Sequence, residues 1–424
     1  MAFKCKEGRG KEMVKLPEGW ERRRLGDVSS VIMGQSPSSS LINKEGKGLP
    51  FLQGNAEFTS KYPNPINWIE KPLKTASKGS ILVSVRAPIG DLNFANSQCC
   101  IGRGLASIEA NGFIVDNIFL WYSMHYFINE LIRIGQGSTF EAIGRNELRN
   151  LCISLPPLPE QRKIAEILET ADKAIEKTDA IIEKYRRIKQ GLMQDLLTKG
   201  IDEKGQIRSE ETHKFKDSPL GRLPEEWEVA NIGKAGKVIT GSTPPTANPK
   251  YYGDCYLFIS PEDITNSKFI TDTQKKLSEC GFKISRSVLP YSICVVCIGS
   301  TIGKVAMTKS ICTTNQQINS IIPDINIFNP DALFYFVLFY SQTPLKHEAG
   351  LQAVPIVNKS RFSTIKIPLP PLPEQHRIAS VLSQIDEVIE KEERYKEKLE
   401  RIKQGLMQDL LTGKVRVNHL IKET

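Results

Sequence analysis

Few residues of this chain are spaced for covalent chemistry. The run from Gly299 through Gly303 and Lys304 to Val305 has the glycines and lysine of a phosphate cradle. It falls one residue short of GxxxxGK[ST] and lacks the hydroxyl that would hold Mg²⁺. Methyl transfer to a base would need an adenosylmethionine loop and an Asn/Asp-Pro-Pro-aromatic tetrad. Asn248, Pro249, Lys250 and Tyr251 offer one proline only, and Asn64, Pro65 and Ile66 fail at the third position. A metal-dependent nuclease would follow a Pro-Asp with a Glu-x-Lys type pair; Pro323-Asp324 and Pro330-Asp331 have none convincing in the same module. Cys294 and Cys297 have zinc-like spacing but sit in an apolar run with only Cys312 nearby, which fits a structural thiol pair better than a zinc site. The histidines His125, His213, His347, His376 and His419 are scattered.

What remains is a set of polar side chains on loops, of the types that read base edges in a DNA major groove. The first half of the chain offers Gln35, Ser36, Arg86, Arg103, Gln136, Ser138 and Arg145. The second half offers Ser242, Thr243, Thr301, Lys304, Asn315, Gln316, Gln317, Gln352, Lys359 and Arg361. Phosphate contacts position a protein on DNA without specifying sequence, and residue type alone does not separate the two roles.

These loops recur because the chain is duplicated, and internal repeats constrain the fold before any single motif does. Leu155 to Thr198 returns as Leu369 to Thr412 at a constant offset of 214, with 28 of 44 positions identical. Pro159 and Pro373 sit where proline suits a helix start, Glu160 and Glu374 suit the positive end of the helix dipole, and Gly200 and Gly413 supply the stop. About 40 residues without proline give a helix of roughly 58 Å. Apolar positions such as Ile164, Leu168, Ile175, Ile182 and Leu196 recur at helical spacing, so each helix needs a partner, as in a coiled coil. Identity is complete at the two ends of the repeat and poor in its middle. If the helices pack antiparallel, each end of the coil joins the start of one copy to the finish of the other, which suggests two equivalent docking sites for one partner; uneven drift after a recent duplication is the plainer alternative. The candidate docking residues are Leu158, Gln161, Gln190, Leu192, Met193 and Leu196, with Leu372, Gln375, Gln404, Leu406, Met407 and Leu410.

Leu16 to Trp20 and Leu223 to Trp227 open the two modules at an offset of 207, so the second carries seven more residues. Strands are expected at 49–53, 80–85, 256–259 and 293–298, and module helices at 117–132 and 330–340. The polar stretch 201–222 reads as a connector. At 424 residues two to four domains are expected. No apolar run is long enough for a membrane span and the start lacks a secretory pattern, while nine cysteines without framework spacing fit a reducing cytoplasm. The net charge is +9, and the helices 160–200 (nine basic, eight acidic) and 374–414 (eight basic, nine acidic) cancel. The basic excess therefore lies in the globular parts and tails, the footprint expected for phosphate backbones.

Two divergent modules alternating with two near-identical helices, bounded by LPPLPEQ and GLMQDLLT, resemble the specificity subunits of type I restriction–modification systems over about residues 15–417. The resemblance implies a mixed α/β (α+β) chain in which target-recognition domains at 1–154 and 223–368 alternate with long helices at 155–200 and 369–424, the second including the tail. It implies a pseudo-twofold tandem repeat whose helices form an antiparallel intramolecular coiled coil, with the connector at 201–222. Each recognition domain would read one half of a bipartite double-stranded DNA site, and the coil would set the spacer and dock two methyltransferase subunits. The chain itself would be non-catalytic and hold no cofactor. S-adenosylmethionine would belong to the methyltransferase, and ATP and Mg to restriction subunits that join the complex. Two other readings stay open: a stand-alone DNA-modifying enzyme with diverged motifs, and a structural tether binding protein partners.

Overall fold

The computed structural model describes residues 16–136, 142–349 and 356–421. The chain divides into two compact units, Met1–Lys177 with Lys396–Thr424, and Thr178–Tyr395. Each unit holds one module together with part of each long helix.

In the first unit an antiparallel sheet runs in the order Ser29–Met33, Leu105–Ala110, Ile81–Ser84, Leu92–Phe94. A second, mixed sheet runs Ile42–Asn43, Asn67–Ile69, Leu49–Leu52, Cys99–Ile101, Thr75–Ala76, with Leu49–Leu52 parallel to Cys99–Ile101. The second unit repeats this plan. Gly236–Thr240, Ile318–Pro323, Ile293–Val296, Val305–Thr308 and Phe269–Ile270 form one sheet. Lys276–Leu277, Tyr252–Ile259, Cys312–Thr314 and Ser287–Val288 form the other. The central strands are unbroken apolar runs because both faces are covered. Ile293 and Val295 enter the core shared with the helices, while Cys294 and Val296 enter the core between the sheets.

That alternation settles the chemistry of the cysteine pair. Cys294 and Cys297 lie in different cores, and burial pushes their thiols up to about 11 and about 12. They cannot share a metal in this geometry. Among the described residues no group of three His, Cys, Asp or Glu side chains is placed to hold one.

The module helices, Asn117–Gln136 and Pro330–Tyr340, pack on the sheets that contain Ser29–Met33 and Gly236–Thr240. Their starts are capped alike: the Asp116 carboxylate accepts from Ile118 and Phe119 N–H, and the Asn329 side chain accepts from Ala332 N–H. The long helices span Leu158–Thr198 and Leu372–Leu411 and are stopped by Gly200 and Gly413, both at positive φ. In each unit they run antiparallel. In the first, Ile164 and Leu168 share a core with Leu410 and Leu411 while Asp172 meets Lys403. In the second, Leu196 and Leu197 share a core with Ile378 and Leu382, while Lys189 meets Asp386 and Arg186 meets Glu393. No helix among the described residues is long and apolar enough to cross a membrane.

The stretch 201–222 has more structure than its polar composition suggests. Ile201 bridges Ile207, and Phe215–Ser218 pairs with Gly221–Pro224 in a hairpin. Between them Arg208 is buried with its guanidinium on the Glu374 carboxylate. Trp227 Nε1–H donates to the same carboxylate at 3.0 Å, and Ile201 N–H at 2.8 Å. The first unit builds the same lock from the tail of the chain. Glu160 accepts from Trp20 Nε1–H at 3.2 Å, from Arg416 Nε–H at 2.8 Å and from Val417 N–H at 3.3 Å. The repeated glutamates are therefore buried clamps on the module-opening tryptophans, a role beyond helix-dipole partners.

Candidate nucleic-acid interface

Three loops converge in each module through main-chain hydrogen bonds that match one for one. In the first, Gln35 N–H donates to Ile101 O at 2.9 Å, Gly102 N–H to Leu52 O at 2.8 Å and Val85 N–H to Gly104 O at 2.9 Å. In the second, Ser242 N–H donates to Thr314 O at 2.9 Å, Asn315 N–H to Ile259 O at 2.9 Å and Cys297 N–H to Gln317 O at 2.8 Å. Gly34 and Gly241 lie where any Cβ would collide with the carbonyls of the facing loop, at Gly102 and Asn315. Glycine is required there for the close approach. Next to these loops, Arg86 bridges Ala142, and Ile298 bridges Ile356.

On this common frame the side chains differ. Ser36 Oγ accepts from Gln53 Nε2–H at 2.9 Å and from Arg103 N–H at 3.2 Å. The matching Thr243 hydroxyl instead donates to the side-chain oxygen of Gln316. Arg103 and Gln316 occupy equivalent exposed positions, Gln53 corresponds to Ser260, and Arg86 corresponds to Ile298. An arginine fork suits guanine O6 and N7, whereas a glutamine amide suits adenine N6 and N7. The two frames thus offer different donor and acceptor patterns at one location.

Of the candidates in the sequence, the structure brings Gln35, Ser36, Arg86 and Arg103 together in the first module, and Ser242, Thr243, Asn315, Gln316 and Gln317 in the second. Asn315 Nδ2–H donates to Gln317 Oε1 at 3.0 Å, which ties those two to each other. Thr301 and Lys304 lie on the turn after the strand Ile293–Val296, whose return is closed by Gly303 N–H on Val296 O at 2.9 Å. Lys359 and Arg361 are exposed on the short helix Lys359–Ser363. Arg145 is exposed beside the edge strand, where its guanidinium donates to Val31 O from Nε at 3.2 Å and from Nη2 at 2.9 Å. Ser138, Gln352 and the side chain of Gln136 lie outside the described residues. Sequence reasoning missed Gln53 and Arg286. Arg286 N–H donates to Ser242 Oγ at 3.0 Å and Arg286 Nη1–H to Thr240 O at 3.1 Å, which places an exposed cation beside the second frame. No local pattern marks either residue, because the strand pairing brings them in from distant sequence.

The docking candidates divide as well. Gln161 and Gln375 are buried and spent within their units. Gln161 accepts from Asp116 N–H at 2.8 Å and donates to Ile114 O and Pro156 O. Gln375 accepts from Asn329 N–H at 2.9 Å and donates to Ile327 O and Pro370 O. Leu196 and Leu410 are core residues. These four cannot form a docking surface, because their side chains are already enclosed. Leu192, Met193, Leu406 and Met407 pack partly on the cores, Leu158 and Leu372 are half-buried, and Gln190 and Gln404 are exposed. Beside the last two, Ile188 and Ile402 are exposed at equivalent positions, and a Cβ added at Gly191 or Gly405 would meet nothing within 4 Å among the described residues.

Comparison with known proteins fits this geometry. The family model described as the type I restriction modification DNA specificity domain matches residues 17–184 and again 224–401. The chain is 29% identical over 438 residues to the type I restriction enzyme MjaVIII specificity subunit of Methanocaldococcus jannaschii, covering 98% of each chain. It is 45% identical over 198 residues to the putative MjaX specificity subunit of the same organism, a match spanning 46% of this chain and 47% of that relative. A type I restriction–modification S subunit from M. genitalium shares the fold with a TM-score of 0.62 at 17% identity, over 94% of this chain and 98% of the other. With its specificity domain present twice, one copy lying mostly in each unit, the chain belongs to the type I restriction–modification DNA specificity family.

Proposed function

We propose that this chain is the non-catalytic DNA-specificity subunit of a type I restriction–modification complex, with each module reading one half of a bipartite site. One observation carries this reading. The main-chain frame of the three-loop face is the same in both modules, while its side chains change from Ser36, Gln53 and Arg103 to Thr243, Ser260 and Gln316. A duplicated enzyme would repeat its reactive groups, whereas this face keeps one frame and exposes Arg103 in one module and Gln316 in the other, as readers of two unlike half-sites require.

The coil sets the spacing of the half-sites and docks two methyltransferase subunits, whose adenosylmethionine chemistry and the ATP-driven work of restriction subunits lie off this chain. Gly191 and Gly405 support the docking. A helix-interior glycine costs about 1 kcal/mol relative to alanine, and both copies keep one on an exposed face where, among the described residues, no neighbour lies within 4 Å of an added Cβ.

The test is selection of bound sequences from random duplex DNA by the chain with its cognate methyltransferase. Two short unlike motifs at fixed spacing are expected. A single motif would refute two reading heads, and no enrichment together with salt-independent binding would favour the tether.

A further inference from the structure

Each unit contains a polar triad that the DNA-reading face does not use. In the first, Tyr122 of the module helix donates its hydroxyl to Asp172 Oδ2 of the first long helix at 2.6 Å. The other oxygen, Asp172 Oδ1, takes Lys403 Nζ of the second long helix at 2.5 Å, and the ammonium lies 5.7 Å from the Tyr122 ring centre. In the second unit Tyr335 donates to Asp386 Oδ2 at 2.6 Å, Lys189 Nζ meets Asp386 Oδ1 at 2.5 Å, and it lies 5.8 Å from the Tyr335 ring centre. The tyrosines are buried. Asp172 and Asp386, like Lys189 and Lys403, fall at the offset of 214, so aspartate and lysine exchange helices between the units.

This arrangement joins three elements at one carboxylate: the module and both strands of the coil. Apolar ridges between helices tolerate shifts and rotations of some 15–20°. A carboxylate with one oxygen on a buried phenol and the other on a lysine does not, because a slip of one residue along a helix is about 1.5 Å and 100° and would break both contacts. Buried polar groups of this kind are best attested as register devices. On DNA, one added base pair moves a half-site by about 3.4 Å along the axis and turns it by roughly 35°. A module that could rock on its coil would accommodate that step.

We propose that the Tyr–Asp–Lys triads are positioning residues that fix the seat of each module on the coil and so enforce the spacer length between half-sites. The inference rests on the bipartite reading proposed above. The second unit carries an addition. Lys268, also buried, pairs with Asp331 at 2.6 Å, donates to Ser383 Oγ at 2.9 Å and covers the Tyr335 ring at 4.8 Å. Lys268 therefore still ties the second module to its long helix when Tyr335 loses its hydroxyl, and among the described residues no lysine plays this part in the first unit.

The experiment measures binding of the complex of this chain with its methyltransferase to duplexes carrying the selected half-sites at the selected spacer and at one base pair more or fewer. In Tyr122→Phe the preference for the selected spacer should fall about tenfold, the scale of one hydrogen bond to a charged group. Affinity for a duplex bearing only the first half-site should stay within about twofold, because the reading face is untouched. Tyr335→Phe should lose less. Lys403→Met, which leaves the phenol in place, should also relax the preference, and Lys403→Arg should restore it. Equal losses at all three spacers would reduce the triads to plain structural support and overturn the proposal. So would an unchanged preference in Tyr122→Phe and Lys403→Met, with the bipartite reading intact. A wild-type complex indifferent to spacer length would overturn that reading and this inference together.

Discussion

Replacing Glu374 by alanine should release the stretch 201–222 and unseat Trp227. The side chains of Arg208 and Glu374 are 8% and 2% exposed, so neither charge is solvated once its partner is gone. Glu374→Ala leaves the guanidinium, whose Nε already has no hydrogen-bond partner among the described residues, with only the exposed Glu226 carboxylate at 3.3 Å, and orphans the Trp227 and Ile201 N–H groups. Breaking one side of a buried pair costs about 3–5 kcal/mol. Replacing both partners by apolar groups is often nearly neutral, so Arg208→Met with Glu374→Met should cost less than Glu374→Met alone. The equivalent Arg416 is 28% exposed, and water can take over part of its role, so Arg416→Ala should cost the first unit less than Arg208→Ala costs the second. Native-state hydrogen exchange of the full chain is the assay, read on peptides covering 201–231. At about 1.4 kcal/mol per tenfold, Glu374→Ala should lower protection there by roughly a hundredfold to several thousandfold. A change under about fivefold, or a double variant worse than the sum of the singles, would refute the clamp and leave 201–222 a linker held by its ends.

Arg103→Gln should weaken binding to the first half-site by about 1–3 kcal/mol and leave the second unchanged, as read by titrating duplexes that carry one half-site each. Equal loss at both would contradict one module per half-site. Gly191→Leu with Gly405→Leu should raise helix stability by up to about 1 kcal/mol per site in thermal unfolding while abolishing methyltransferase assembly in sedimentation. Assembly that survives would remove the docking face. Burial, with the Asp172 hydrogen bond adding to it, raises the Tyr122 phenol far above its ordinary 10.0. Above that pH the unfolded chain loses a proton that the folded one keeps, so stability of the first unit should fall as pH rises beyond about 10 and should not depend on this group below it. Tyr122→Phe should flatten that fall in urea unfolding followed across the same pH range.

The helices are legible in the sequence almost to the residue, because proline, glycine and a forty-residue apolar stripe are local signals. The strand expected at 49–53 is Leu49–Leu52, and that at 293–298 is Ile293–Val296. Strands such as Thr75–Ala76 and Ser287–Val288 are not legible: two residues carry no period, and their conformation is set by the neighbours they pair with. The matched loops are recognisable from their glycines, but not which side chains face each other across them. Gln53 reaches Ser36 only because Leu49–Leu52 lies beside Cys99–Ile101. The stretch 201–222 resembles a linker because Arg208, its buried side-chain anchor on Glu374, is charged. Composition cannot distinguish an arginine that solvates from one whose carboxylate partner arrives 166 residues later.

The repeat also changes what internal identity means. Complete identity at LPPLPEQ suggests, on sequence alone, surfaces kept for a partner, yet Glu160, Gln161, Glu374 and Gln375 are consumed by contacts inside their own units. Asp172 with Lys403 and Asp386 with Lys189 are equally internal. Identity at such positions needs no outside partner, since the same fold requires the same bonds twice. The informative positions are those repeated without an internal reason. Gln190, Gly191, Gln404 and Gly405 are exposed, and the glycines lower helix stability for no close contact among the described residues. Their counterparts in reverse are Arg103 and Gln316, where the frame is the same and the side chain is not. A surface that meets the same partner in both repeats stays the same, and a surface that must read two unlike sequences diverges. This chain shows both on one duplicated scaffold, and that combination separates a DNA-specificity subunit from a tether, which would need only the first.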